Sequence, residues 1–132
     1  MKKIEAIIRR EKFSEVDAAL KKVGVGGLTM EEVQGRGRTR LQTTVYMRGA
    51  WTREDEYIRH VKLEIVVKDE DAKKVVDALI SAAKTDSPGD GKVFVTTVED
   101  VIDIGSKMSG DRAVEIEAQP PVTVIASMRG RN

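Results

Sequence analysis

The apolar period changes twice in the same way along this chain, and that succession constrains the fold more than any other feature. Over residues 2–8, Ile4, Ala6 and Ile8 alternate with Lys3 and Glu5, the period of a half-buried strand. Phe13, Val16, Ala19, Leu20 and Val23 then recur at helical spacing. Ser14 is placed to cap that helix, with Phe13 before the cap and Asp17 three residues on. Gly24 suits the helix stop. Gly26 and Gly27 predict a turn, and residues 28–34 a second strand. The second half follows the same order. Residues 61–67 predict the most apolar strand, with Lys62 and Glu64 turned away from Leu63 and Ile65. Asp69, Glu70 and Asp71 put negative charge at the start of a second helix, where the helix dipole favours it. Ala72, Val75, Val76, Leu79 and Ala83 supply its buried stripe. The run Ser87, Pro88, Gly89, Asp90, Gly91 breaks regular structure. Residues 93–98 predict a fourth strand and 101–104 a short fifth.

The order strand-helix-strand-strand-helix-strand defines an α+β fold of the split-βαβ, ferredoxin-like kind. Right-handed crossovers put both helices on one face of the sheet. The other face then needs a cover, and an oligomer is the simplest. At roughly 150 residues per domain, the 132 residues form one domain. Apolar residues make up 40% and aromatic ones 4%, so Val, Ile, Leu and Ala must build the core.

Composition also removes functions. The 23 Lys and Arg against 22 Asp and Glu leave a net charge of +1, too balanced for a wholly basic nucleic-acid coat. The absence of Cys excludes disulfides, Cys-ligated zinc, iron–sulfur clusters and thiol catalysis. A lone His, at position 60, argues against a His-cluster metal site or a His-based triad. We predict no catalytic residue and no metal site, hence no enzyme. No apolar run approaches the roughly 20 residues of a membrane span. The first residues carry charge at Glu5, Arg9 and Arg10, unlike a signal peptide, so a cytoplasmic protein is expected.

Two stretches resist assignment to compact structure. Residues 35–59 exceed the roughly 12–15 residues beyond which a loop is usually functional or disordered. They hold six Arg (36, 38, 40, 48, 53, 59), no Lys, and Tyr46, Trp51 and Tyr57. Their middle, residues 41–47, alternates enough to extend as a hairpin arm. Residues 106–132 are the second stretch: 114–117 and 122–125 are candidate strands around Pro120 and Pro121.

Three groups are suited to an anion. Gly35, Arg36, Gly37 and Arg38 let backbone N–H groups approach it and add a planar guanidinium, although such a run is more often a solvated loop. Residues 85–92, Thr-Asp-Ser-Pro-Gly-Asp-Gly-Lys, lack the Walker A pattern. Even so, Gly89 and Gly91 can shape a phosphate-holding loop, with Lys92 as its point charge. Glu64 is a carboxylate in an apolar strand, for which Lys92 is a candidate partner. His60 reads as a hydrogen-bonded structural residue rather than a ligand, and Glu54, Asp55 and Glu56 as a solvated run.

Together these residues resemble the nitrogen regulatory PII family. The opening 29 residues, MKKIEAIIRREKFSEVDAALKKVGVGGLT, look like its strand, helix and second strand. VQGRGR looks like the base of its T-loop, VKLEIVV like its third strand, and GDGKVFV like its B-loop. The resemblance covers residues 1–104, so the expected division is a PII-like domain over 1–105, with a T-loop at 36–59, and an extension over 106–132. It implies a homotrimer with adenine-nucleotide clefts between neighbours, where ATP and ADP compete, and a T-loop that docks on a transporter or metabolic enzyme. By position Ile7, Gly35, Gly37, Arg38, Glu64, Val66, Gly89, Asp90, Gly91 and Lys92 match cleft residues. Leu28 and Thr29 match those a neighbour contributes. Arg40, Tyr46, Arg48 and Trp51 are the expected partner-binding residues of the T-loop.

The chain departs from the family pattern in ways that bear on the ligand. Thr39 stands where the family has the glutamine that helps hold magnesium beside 2-oxoglutarate. His60 replaces the lysine that meets the 2-oxoglutarate carboxylate, and a neutral imidazole substitutes poorly for a fixed charge. Asp103 and Gly105 replace two phosphate-binding arginines. A diverged sensor is therefore expected, favouring ADP or AMP, with 2-oxoglutarate sensing not carried over and magnesium left open. Another small anion, such as a cyclic nucleotide or bicarbonate, is the alternative ligand. An Arg-rich-loop nucleic-acid binder is the alternative class, disfavoured by the charge balance.

Overall fold

The computed structural model describes residues 1–36 and 57–116 in full, and residues 44–47 and 50–53 in their backbone pairing. Strand β1 (Lys2–Arg9) leads through a 3₁₀ turn (Arg10–Lys12) into helix α1 (Phe13–Lys22). Strand β2 (Thr29–Gly35) follows, then a short hairpin of β3 (Thr44–Met47) and β4 (Ala50–Arg53). Strand β5 (Ile58–Val67), helix α2 (Asp69–Ala83) and strand β6 (Gly91–Thr97) complete the domain. The sheet order is β2-β5-β1-β6, every neighbour antiparallel. This is the expected α+β arrangement, with the two central strands coming from opposite halves of the chain. Of the expected 41–47 arm, residues 44–47 form β3 and pair with β4, Tyr46 opposite Trp51, and residues 41–43 lie outside the described residues.

Period-two alternation decides which side of the sheet is buried. Ile4, Ala6 and Ile8 of β1 and Val61, Leu63, Ile65 and Val67 of β5 are all buried. Against them pack Val16 and Leu20 of α1 and Val75, Leu79 and Ala83 of α2. The core is aliphatic throughout, as the scarcity of aromatic residues requires.

Four local expectations are corrected. Helix α1 begins at Phe13 behind the 3₁₀ turn, so Ser14 lies inside it and is not its cap; the cap position is Lys12, without a side-chain cap bond. A preceding turn already of helical hand leaves the first N–H groups no sharp entry for a hydroxyl to close. The chain reverses at Val23 and Gly24, not at Gly26 and Gly27. Residues 101–104 form no strand: Ile102 alone bridges to Ser109. Residues 114–116 are likewise irregular, although Ile116 packs on the core. The candidate strand at 122–125 lies outside the described residues.

Helix α1 ends as a full Schellman motif. Gly24 takes a φ of 96°, its N–H donates to Lys21 O at 3.0 Å, and Val25 N–H donates to Leu20 O at 3.0 Å. Val25 and Leu20 are both buried, the apolar contact that accompanies this motif. Gly24→Ala is expected to lower stability by about 1–2 kcal/mol, because the left-handed conformation disfavours a Cβ. Gly26→Ala, where a Cβ meets nothing within 4 Å, should stay within about 0.5 kcal/mol or stabilise slightly. Urea unfolding at matched protein concentration checks the pair; equal losses would contradict the motif's role.

Candidate functional site

The strand register sets the site. On the face away from the helices, side chains fall into rows across β2, β5, β1 and β6. One row runs Thr29, Glu64, Glu5, Phe94 and the next Glu31, Lys62, Ile7, Lys92. A third has Val33, His60 and Arg9, and continues into the loop that precedes β6. Gly35 ends β2 opposite Ile58, beyond that row.

The 84–90 loop is fastened at this end of the sheet by side chains. Asp90 accepts the Thr85 N–H at 2.8 Å, and also the Thr85 hydroxyl. Its other clamp is Arg9, whose Nε donates to it at 3.1 Å and whose guanidinium also donates to Pro88 O. His60 lies beneath the loop, 6% exposed. Its Nδ1 is 3.0 Å from Ile58 O and its Nε2 3.2 Å from Gly89 O. Gly89 and Gly91 both take positive φ, 92° and 106°. At Gly91 a Cβ would stand 1.6 Å from Ile7 O, so only glycine lets β6 start against β1 here.

The clamp leaves its mark on the Asp90 carboxyl. The Thr85 hydroxyl and N–H, then Arg9, hold it below the ordinary carboxylate range. Lys92 follows on the open face, exposed, with no ion pair among the described residues. A cavity of about 380 Å³ lies between α2 and this edge of the sheet, lined on the helix side by Ile8, Leu79, Ile80, Ala83 and Val93 and bordered by Ile7, Asp90, Gly91 and Lys92. The open face offers glycine-exposed backbone, a lysine with no ion pair among the described residues, and apolar Ile7 and Phe94 in adjacent rows, a combination suited to a polyanion with an apolar ring.

Not every expected site residue gathers there. Ile7, Gly89, Asp90, Gly91 and Lys92 converge, and Gly35 ends its strand at the same end of the sheet. Glu64 sits one row further along, and Leu28 and Thr29 stand at the opposite end of β2. Val66 lines a separate cavity of about 200 Å³ beside Gly26, Gly27 and residues 113–116. Gly37, Arg38, Thr39, Arg40 and Arg48 lie outside the described residues, as do the side chains of Tyr46 and Trp51.

The Glu64–Lys92 pair expected within one chain does not form. Strand β1 separates β5 from β6, which puts the two backbones roughly 10 Å apart at one strand spacing each of about 4.8 Å. Glu64 instead approaches Lys3 at 3.6 Å and Lys62 at 3.9 Å. Lys62 also reaches Glu31 at 2.9 Å and Glu5 at 3.4 Å. The hydrogen bond that Lys62 donates to Glu31 is the main cause that raises the Lys62 pKa above its ordinary value.

Sequence reasoning overlooked Arg9. Its signal was present in principle: it continues the outward-facing series Lys3, Glu5, Ile7 of β1 to the strand's last position. Asp103 also has a local task. It accepts the Ser106 N–H at 2.9 Å and the Ser106 hydroxyl at 2.7 Å, contacts that lower its pKa.

The site is thus a glycine loop on a ferredoxin-like domain, opening beside a lysine that has no ion pair among the described residues. The family model described as nitrogen regulatory protein P-II matches residues 1–107. The protein named nitrogen regulatory protein P-II from Nostoc punctiforme is 45% identical over 114 residues, 86% of this chain and 100% of that relative. Its namesake from Rhizobium meliloti is 46% identical with the same coverage. The protein named P-II 2 from Methanothermobacter thermautotrophicus is 46% identical over 86% of this chain and 97% of its own length. The chain belongs to the nitrogen regulatory protein P-II family, whose members are signal-transduction regulators rather than enzymes. Among the described residues, no helix is long and apolar enough to cross a membrane.

Because the folded Asp90 carboxyl titrates below its unfolded value of about 3.9, its stabilisation is complete only well above that pH. It is lost as pH falls through the lower folded value. Asp90→Asn should therefore melt at a lower temperature than the parent protein near neutral pH, with the gap closing towards about pH 2–3. Melting curves across that range check this; a gap that stays constant with pH would contradict it.

Proposed function

We propose that this protein is a trimeric sensor that binds an adenine nucleotide at clefts between subunits and controls a protein target through its 36–59 loop. The supporting observation is Lys92, exposed and with no ion pair among the described residues, beside a loop shaped by two glycines and a side-chain clamp. Glycine-exposed amides and a lysine meet the phosphates, and Ile7 with its apolar neighbours meets the ring. Gly35, Gly37 and Arg38 complete the subunit's own share, while Glu64, opposite Thr29 in register, and Val66 beyond it line the cleft from the neighbour's side. Leu28 and Thr29, too far along β2 to join that group within one chain, come from the neighbouring subunit, which also covers the bare sheet face. Residues 1–105 are the regulatory domain in this reading, and 106–132 an extension to it.

The ligand in this reading is ADP or AMP in preference to ATP. Asp103, where the family carries a phosphate-binding arginine, is negatively charged and occupied by Ser106. His60, where the family carries the 2-oxoglutarate lysine, has both ring nitrogens against backbone carbonyls rather than free for a carboxylate. 2-Oxoglutarate is not required in this reading. The target is a membrane transporter or a metabolic enzyme, engaged by Arg40, Tyr46, Arg48 and Trp51.

Calorimetric titration with AMP, ADP and ATP, with and without 2-oxoglutarate and magnesium, tests the reading. Saturable adenine-nucleotide binding is expected, one site per protomer. Lys92→Ala should weaken it by about 10- to 150-fold, since a charge-assisted hydrogen bond contributes about 1.5–3 kcal/mol. A monomer that binds no adenosine compound, or tight 2-oxoglutarate binding that depends on magnesium and ATP, would overturn the reading.

A further inference from the structure

His60 is the only histidine of the chain. It is buried to 6% exposure with a carbonyl oxygen within hydrogen-bond distance of each ring nitrogen, Ile58 O at 3.0 Å and Gly89 O at 3.2 Å. Carbonyl oxygens only accept. A neutral imidazole has one N–H, so whichever tautomer it adopts, one ring lone pair faces a carbonyl lone pair. Only the imidazolium donates to both. One of these carbonyls belongs to the strand that ends the long 36–57 connection; the other belongs to the glycine loop.

We propose that His60, as a doubly protonated imidazolium, is a positioning residue that seats the 84–92 loop on β5, so that the loop's grip on a polyanion follows the protonation of His60. This rests on the reading of that loop as the nucleotide site. The charged groups that face it are these. From β1, Arg9 stands opposite His60 in register, but its charge is met by Asp90 at 3.1 Å and Glu11 at 3.8 Å. From the loop, Asp90 follows Gly89. On β5 itself, Lys62 is two residues along and is neutralised by Glu31 of β2 and by Glu5 of β1. From β2 the register partner is apolar Val33. Lys92 lies in the next row, on β6. When His60 loses its proton, one of the two carbonyl contacts must be given up. Gly89 O is the one released, since Ile58 is held in the sheet by its neighbours and Gly89 belongs to a loop.

Nitrogen-15 NMR of the ligand-free full chain, followed across neutral pH, reads this directly because there is one histidine to observe. At acidic pH both ring nitrogens should carry protons, and on deprotonation the Gly89 and Asp90 amide signals should shift with the same midpoint. ADP affinity, measured by calorimetry over the same range, should fall severalfold as His60 deprotonates. In His60→Gln that loss should disappear, and His60→Lys, which keeps a permanent donor charge, should retain acid-side affinity at every pH. Titration of His60 without movement of Gly89, or the same pH dependence of ADP affinity in the parent and His60→Gln, would overturn the proposal. Coupled His60 and Gly89 signals in a protein that binds no ADP would instead overturn the nucleotide reading and leave the latch standing.

Discussion

The close approach of Gly91 to the Ile7 carbonyl is the constraint on which the rest of this end of the molecule depends. Any Cβ at Gly91 would collide with that oxygen. With glycine there, β6 starts hard against β1 and the preceding loop is folded back over the end of the sheet. Asp90 is thereby brought beside Arg9, and Gly89 over His60. Lys92 leaves the turn on the open face, in the same row as Ile7. A loop of this kind has no secondary structure of its own, so its shape comes from side chains below it. Asp90 gathers the Thr85 and Arg9 donors, and Arg9 and His60 tie Pro88 and Gly89 to two adjacent strands.

The open sheet face follows the same logic on a larger scale. Alternation that buries Ile4, Ala6, Ile8 and their β5 partners necessarily turns Lys3, Glu5, Lys62 and Glu64 outward. Their charges are arranged around Lys62, which meets Glu5, Glu31 and Glu64. Ion pairs on an exposed face add little to stability. Their effect is to leave a largely neutralised surface, with Lys92, unpaired among the described residues, at one end and apolar groups such as Phe94 beside it. Such a face is suited to a neighbouring subunit and to a phosphate-bearing ligand held between the two.

Much of this was legible in the chain. Strand and helix periods located both halves of the domain, because an aliphatic core under a single sheet face forces strict alternation. The family resemblance was carried by short runs, GDGK and KLEIVV, that the family match over residues 1–107 supports. Local capping was less legible: Ser14 has the right chemistry for a cap, but a 3₁₀ turn before Phe13 removed the need for one. The Glu64–Lys92 pair was misplaced because sequence order made β5 and β6 look adjacent, whereas β1 lies between them. Arg9 went unnoticed because its partners, Pro88 and Asp90, are about eighty positions away in the chain. The roles proposed for Leu28 and Thr29 would require a second subunit, which no pattern within one chain can display.

The most direct test of the central claim is amide hydrogen exchange with and without ADP. If the glycine loop holds the nucleotide, exchange at Gly89, Asp90, Gly91 and Lys92 should slow on adding ADP, while the turn at 103–107 stays unchanged. Exchange at those four amides that is indifferent to saturating ADP would contradict the account.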